Sequence, residues 1–206
     1  MPILVVAATE LEIRLLRADP RGHRHIEVLV TGVGMVATAA RTAQALARTR
    51  YDVAYNFGVC GAFDRSLAPG AVVHVISDRL SELGAEDGDG FVTLQDLGLA
   101  HDDGVLVNEA APASAALRAL PTVRGITVNT VHGRDASIAA IVTRLSPQVE
   151  SMEGAAFAYA CTISGVPYAQ VRAVSNVVER RNRDAWRLDL AIRNLNDAAL
   201  RILDFV

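Results

Sequence analysis

Short, unbroken apolar runs that give way to helical patterns recur along this chain, and they restrict its fold more than any other feature. Ile3 to Ala8 is apolar throughout, the pattern of a strand buried on both faces. Thr9-Glu10-Leu11-Glu12 follows, with Thr9 placed to cap a helix and Glu12 at its third position, a capping box. His25 to Thr31 reads as a second strand, and Gly32-Val33-Gly34 turns it into an Ala-rich helix from about Met35 to Arg50. Further strands are expected over Val53 to Gly58, Ala71 to Ser77, Gly125 to Val131 and Tyr168 to Ser175. Helices are expected over Ala113 to Leu120, over Asp135 to Leu145, and from Gly154 to about Ser164. In the last helix Leu188, Ile192, Leu195, Ala199 and Ile202 fall on one stripe. Strands alternating with helices predict an α/β fold: a single domain over 1–206, three-layer αβα, with a mixed, mostly parallel central sheet. Residues Asp78 to Asn108, rich in glycine and acids, read instead as a long irregular excursion of the kind that is usually functional.

Composition narrows the function. At 206 residues the chain can build one substantial core, and 51% of it is hydrophobic. Net charge is −3, and the only dense basic run is Glu179-Arg180-Arg181-Asn182-Arg183, so nucleic acid is not the expected partner. All 20 basic residues are Arg, which excludes a P-loop lysine and any Schiff-base mechanism. Cys60 and Cys161 lie far apart in apolar stretches and read as small core residues in a reducing compartment. His23, His25, His74, His101 and His132 show no metal-ligand spacing, so neither a metal nor another cofactor is expected. No apolar run approaches the ~20 residues that cross a bilayer, and Met1-Pro2 leads directly into a strand; no membrane partner and a cytoplasmic location are expected.

The stretch Val149-Glu150-Ser151-Met152-Glu153-Gly154-Ala155-Ala156 reads as a short buried strand turning at once into a small-residue helix. Glu153 at that junction would stay ionised beside the unpaired N–H groups of a helix N-terminus, suited to accepting hydrogen bonds from a sugar diol. Equally, it could serve only to complete the first helical turn. In open α/β sheets ligands collect at the carboxyl ends of strands. Thr9 to Glu12, Thr31 to Gly34, Gly58 to Gly61, Met152-Glu153 and Arg172-Ala173-Val174-Ser175-Asn176 all fall there. Gly32-Val33-Gly34-Met35-Val36-Ala37 also fits a dinucleotide fingerprint, but Asn56-Phe57-Gly58 lacks the ribose-binding acid which that motif requires at the next strand end.

Taken together, Ala8-Thr9-Glu10-Leu11-Glu12, Thr31-Gly32-Val33-Gly34, Ser151-Met152-Glu153-Gly154 and Arg172-Ala173-Val174-Ser175-Asn176 resemble, in order and spacing, the nucleoside phosphorylase/nucleosidase superfamily. The resemblance covers nearly the whole chain. Within the superfamily it extends to the methylthioadenosine/adenosylhomocysteine nucleosidases and, more closely, to the branch that hydrolyses futalosine in menaquinone biosynthesis. That closer likeness rests on Glu150 to Ala156, on Gly84-Ala85-Glu86-Asp87-Gly88, and on Ser175-Asn176 running into Arg181-Asn182-Arg183 and Trp186. It implies that Glu12 activates the attacking water and that Glu153 binds the ribose hydroxyls, with Met152 packed on the sugar. Gly34 falls on the turn beside the sugar. Val59, Cys60, Gly61, Ser137 and Ile138 fall on segments lining the base and ribose pocket. Arg172 and Ser175 flank the base-side residue, and Trp186 sits where an aromatic closes the pocket.

Asn176 stands where the adenine-specific nucleosidases have an Asp that acts on the leaving purine. An amide delivers no proton, but it offers both a donor and an acceptor, which suits the 6-oxopurine hypoxanthine. Hydrolysis would then proceed through a transition state with positive charge at C1′, favoured by Glu153, with Glu12 as general base and Asn176 stabilising the departing purine. Phosphorolysis would need fixed cationic donors beside Gly32, and Thr31 to Val36 contains none. One of Arg180, Arg181 or Arg183 would pair with the carboxylate of futalosine's aromatic tail, with Trp186 or Phe91 as an apolar wall. The same Arg cluster could equally be a solvated loop, Glu12 only a capping residue and Asn176 a turn residue. Adenine-type cleavage, phosphorolysis and simple nucleoside binding are the competing functions. The resemblance also implies a homodimer or larger homo-oligomer.

Overall fold

A computed structural model describes residues 2–18, 25–88 and 90–203; of the five histidines, His23 lies outside them. Strand β1 (Ile3–Ala7) lies parallel between β2 (Ile26–Val30) and the first residues of β3 (Val53–Ala62). Alternate residues of β1 reach opposite faces, and both faces are covered. Ile3, Val5 and Ala7 pack in a cluster with Ile13, Leu16, Leu195 and Ile202, whereas Leu4 and Val6 pack with Phe157, Ala158 and Cys161. That double burial is why the strand is apolar without alternation.

The long strand β3 organises the sheet. Along one edge it pairs parallel with β10 (Tyr168–Val177) over almost its full length. Along the other it leaves β1 and, at Gly61 and Ala62, takes up β9 (Val149–Ser151) antiparallel. Strand β4 (Val72–Asp78) is antiparallel to β10 and parallel to β8 (Thr122–Thr127), which is parallel to β9. Strands β3, β10, β4, β8 and β9 therefore close on themselves, and β1 and β2 extend from this ring. The sheet is mixed and mostly parallel, as expected.

Helices α1 (Glu10–Arg17), α3 (Ala115–Arg118) and α6 (Leu188–Leu203) form one layer, and α2 (Met35–Arg48) packs on α5 (Gly154–Ile163) in the other. Helix α4 (Asp135–Leu145) has the bounds its pattern predicts and lays Ile141 on Ile126 and Val128. The stripe of α6 is the buried one: Ile192, Leu195, Ala199 and Ile202 all lie in the core.

Two expectations are corrected. Strand β8 runs from Thr122 to Thr127, not Gly125 to Val131, because it pairs with β4 upstream and the chain then leaves to form a loop at the barrel mouth. The 78–108 excursion is also less irregular than its composition implies. It contains a hairpin, β5 (Gly84–Asp87) with β6 (Gly90–Thr93), and a short strand, β7 (Leu106–Val107), on the edge of β4. Gly84 lets the Phe91 ring lie across the hairpin, since a Cβ there would meet Phe91 Cζ at 2.5 Å. Arg144 covers that ring, 3.8 Å above its centroid.

Candidate active site

Glu12 sits one turn into α1, 7% exposed, and both of its proposed functions are compatible with its contacts. Its Oε2 accepts from the Thr9 N–H at 2.9 Å and the Thr9 hydroxyl at 3.0 Å, the carboxylate half of a capping box. Its Oε1 accepts from Val59 N–H at 3.1 Å, which ties α1 to the end of β3. Capping thus fixes the carboxylate where β3 ends and leaves Oε1 capacity for one more donor.

Glu153 does not cap its own helix: it is the N-cap residue of α5 but makes no side-chain capping bond. Instead its Oε1 accepts from Gly34 N–H, at 3.0 Å, at the start of α2. Gly34 has φ +99°, in the left-handed region that favours glycine, and this aims the N–H across the gap. Burial raises the Glu153 carboxyl above the ordinary carboxylate range, the nearby Glu12 adds to this, and Arg172 and the Gly34 N–H oppose it. The helix terminus that holds Glu153 is thus the start of α2 rather than of its own α5, and desolvation opposes its charge.

Arg172 is the largest side chain fully removed from solvent. Its Nη2 donates to Asn56 Oδ1, while Nε has no partner among the described residues. A Cβ at Gly58 would fall 2.3 Å from Arg172 Nη1 and 3.1 Å from Glu12 Oε1, so the missing side chain is what lets the guanidinium approach this carboxylate. Arg172 thus lies near Glu12 across Gly58, and its charge is felt by Glu153 and by Cys60. A buried cation goes where two carboxylates offset its desolvation.

Gly61 marks the second half of the site. It is paired with Glu150 on one side and with Asn176 on the other. A Cβ at Gly61 would meet Val178 Cγ2 at 2.8 Å, with Asn176 Nδ2 at 3.5 Å and Glu150 Cγ at 3.6 Å, so the Val178, Asn176 and Glu150 side chains gather at the face this glycine leaves bare. Ser175 donates its hydroxyl to Asn176 Oδ1 at 2.8 Å or to Cys60 C=O at 3.1 Å, and Asn176 Nδ2 donates to Val177 C=O at 3.0 Å. The other Asn176 N–H has no partner among the described residues. Burial pushes the Cys60 thiol up to about 12, so that side chain stays protonated and inert.

Gly61, Glu150 and Asn176 share a cavity of about 50 Å³ with Val131, His132, Glu179, Arg181 and Trp186. Arg181 N–H donates to Gly133 C=O at 3.3 Å, and its guanidinium lies 5.5 Å from the Trp186 ring centroid. The sequence therefore brings Arg181 and Trp186 to the base cavity. Arg183 is exposed on a short 3₁₀ turn (Arg183–Ala185) and does not line this cavity, nor does Phe91 under Arg144. Ser137 and Ile138 are also displaced from it. They begin α4, where the Ser137 hydroxyl donates to Arg134 C=O at 2.9 Å, and Val131 and His132 occupy the lining instead. Met152 packs against the Ile126, Val128 and Ile141 cluster. Among the described residues no group of three His, Cys, Asp or Glu side chains could hold a metal.

Sequence reasoning gave no role to Asn56, His132 or Glu150 and named Gly58 only as the start of a strand-end stretch. Glu150 carried a usable signal, since a carboxylate flanked by residues of a short buried strand is itself buried and must find a partner.

Comparison with known proteins places these features in context. The family described as the Phosphorylase superfamily matches residues 3–206. A futalosine hydrolase of Acidothermus cellulolyticus is 39% identical over 187 residues, covering 88% of this chain and 76% of that protein. A futalosine hydrolase of Thermus thermophilus is 30% identical over 216 residues, covering 97% and 94%. The crystal structure of a futalosine hydrolase of Helicobacter pylori superposes with a TM-score of 0.82 at 16% identity, covering 100% of this chain and 98% of the other.

Proposed function

The chain belongs to the Phosphorylase superfamily, and from that premise we propose that it hydrolyses the N-glycosidic bond of futalosine, releasing hypoxanthine and dehypoxanthine futalosine, a step of menaquinone biosynthesis. Relatives of that activity at 39% and 30% identity over most of the chain support the reading. The observation that carries it within the site is an amide at position 176 beside Gly61, at one end, and two buried carboxylates, Glu12 and Glu153, at the other.

The ribose lies between Gly34, Glu12 and Glu153, with Met152 beneath the sugar. Glu153 holds the diol, and its charge favours the cationic transition state more than the neutral ground state. Glu12 removes a proton from the attacking water while Thr9 and Val59 keep its carboxylate from turning. The purine lies over Gly61, flanked by Val59, Cys60 and Ser175, with the second Asn176 N–H toward its oxygenated edge. Arg181 and Trp186 close the cavity. Water rather than phosphate is the nucleophile. Thr31 to Val36 carries no Arg to fix a phosphate beside the Gly32 turn, and the relatives at 39% and 30% identity, named as hydrolases, support water.

Release of hypoxanthine from futalosine, followed with and without phosphate, tests this. Phosphate-independent release supports it. Release only with phosphate, or binding without release, would overturn it. The neighbouring α2 and α5 expose Val36, Tyr159 and Ile163, a surface suited to a second copy, which supports a homo-oligomer; a cytoplasmic location fits described helices that are too short or too polar to cross a membrane. Light scattering on the eluted peak measures its mass.

A further inference from the structure

Helix α5 begins without help from its own N-cap side chain, because the Glu153 carboxylate reaches instead to Gly34 N–H. An N-cap side chain ordinarily accepts from the second or third N–H of its helix, and a buried N–H left without an acceptor is costly. Here the second N–H, that of Ala155, goes to another residue: Thr127 Oγ1, at the end of β8, accepts it at 2.7 Å. The first, that of Gly154, goes to Ser151 Oγ at 3.3 Å. Thr127 is fully buried and its backbone is pinned, with its N–H on Arg79 C=O at 2.8 Å and its C=O on Ser81 N–H at 3.0 Å. A threonine hydroxyl has one hydrogen, and Asp78 Oδ1 takes it at 3.1 Å, so the oxygen turns its lone pairs to Ala155. Gln170 Nε2 holds the other Asp78 oxygen at 3.0 Å. The helix start settles onto this pair because residue 154 is glycine, where a Cβ would collide with both Asp78 Oδ2 and Gln170 Oε1.

We infer that Thr127 is a positioning residue for the reaction: its hydroxyl caps α5 in place of Glu153 and thereby leaves the Glu153 carboxylate for the ribose diol. This deepens the reading of Glu153 as the diol-binding group of an N-ribosyl hydrolase and rests on it. The two tasks compete, because a carboxylate in the N-cap position that turns back onto its own helix no longer faces the sugar. Thr127 removes the competition from the neighbouring strand, where it pairs with Ser151 two residues before Glu153. Without that hydroxyl the Ala155 N–H becomes a buried donor in want of an acceptor, and the group standing in capping position is Glu153 itself. The carboxylate is then drawn away from Gly34 and from the diol. Thr127 touches neither substrate nor water in this scheme, and it acts only through where Glu153 points.

Steady-state kinetics on futalosine and on its 2′-deoxy counterpart, in wild type, Thr127→Val and Thr127→Ser, decide the matter. Thr127→Val removes the hydroxyl at nearly constant shape, and kcat/KM on futalosine should fall about 10–10²-fold. The ratio of kcat/KM for the riboside to that for the deoxyriboside should fall by about tenfold, because the 2′-hydroxyl loses its charged partner. Thr127→Ser keeps the hydroxyl and should return both quantities to within about threefold of wild type. A residue that only supports the fold would depress the two substrates alike and leave the ratio in place. Should Thr127→Val fail to fold, Thr127→Ala, which also lacks the hydroxyl but leaves room beside Asp78, takes its place with the same expected ratio. A ratio within about twofold of wild type in a folded variant without the hydroxyl would overturn the inference, as would a Thr127→Ser protein as impaired as Thr127→Val. A wild-type protein that releases no hypoxanthine from futalosine would instead overturn the assigned activity, and the two failures are distinguishable.

Discussion

Glu150 and Glu153 stand on one strand-to-helix turn, yet they serve opposite ends of the site. Glu153 is held by a backbone N–H from another helix and shares the charge of Arg172 with Glu12; Glu150 is bound on both oxygens to one histidine. The ribose end is thus a charged assembly, two carboxylates and one buried guanidinium brought near by Gly58, where a Cβ would collide. The base end is a polar rim around Gly61, with Val178 against the glycine. Charge is concentrated where positive character develops in the reaction, and hydrogen-bond direction is concentrated where bases must be told apart.

The largest expected effect lies at the ribose end. Glu12→Gln keeps the shape of the side chain but removes the base, and hypoxanthine release from futalosine should fall by about 10²–10⁴-fold with KM little changed. Full turnover in this variant would move the chemistry away from the ribose floor altogether, and the contrast between the two ends would collapse.

Beneath that floor lies a buried polar knot whose pH response sharpens the same contrast. Asp78 Oδ1 accepts from Thr127 Oγ1 and Oδ2 from Gln170 Nε2, and Thr127 Oγ1 in turn accepts from Ala155 N–H at 2.7 Å, which fixes the start of α5 and hence Glu153. Burial pushes the Asp78 carboxyl up to about 6, against the pull of these hydrogen bonds and of Arg172. A carboxyl whose folded pKa exceeds its unfolded value, near 4, favours the folded state below pH 4, and that contribution is lost as pH rises through 6. Between pH 4 and 7 the unfolding free energy of wild type should therefore fall by about 3 kcal/mol relative to Asp78→Asn, since a tenfold change in proton affinity is worth ~1.4 kcal/mol. Urea midpoints of both proteins across that range measure it; parallel curves would show that Asp78 titrates as an exposed acid.

Gly58→Ala tests whether that glycine is structural. The added methyl would meet Arg172 Nη1 at 2.3 Å, and the guanidinium has little room because Asn56 holds it. A cost of about 1–3 kcal/mol in urea unfolding is expected, as for overpacked cores. An unchanged midpoint would mean that Arg172 is free to move, and its offset to the two glutamates with it.

The ends also differ in how far the sequence discloses them. The ribose end is written in local patterns: a capping box at Thr9 and Glu12, a Gly-x-Gly turn at Gly32 to Gly34, a strand-to-helix turn at Glu153. Each needs only its own neighbourhood to form. The alternation of strand and helix, and the stripe of α6, are legible for the same reason. The base end depends on β3 exchanging β1 for β9 along one edge while keeping β10 on the other, and no local period encodes that switch. His132 and Glu150 come together only once it has happened. The raised Glu153 carboxyl was hidden likewise, because desolvation is a property of the assembled pocket, whereas the helix-terminus argument used only what lies adjacent in sequence.

The smallest expected effect belongs to Asn176, and it bears on the base end directly. The Ser175 hydroxyl contacts its Oδ1, Val177 C=O takes one of its N–H bonds, and the other N–H lies beside Gly61. Asn176→Asp keeps the shape and replaces that donor with a carboxylate oxygen, which repels the carbonyl and N7 of a 6-oxopurine as long as it is ionised. The ratio of kcat/KM for futalosine to that for its 6-amino counterpart should therefore fall by about tenfold at pH 8 and recover in part at lower pH, as the introduced acid takes up a proton and becomes a donor. A ratio that did not move at either pH would show that the purine does not lie over Gly61, and the division of the site into a charged end and a discriminating end would have to be redrawn.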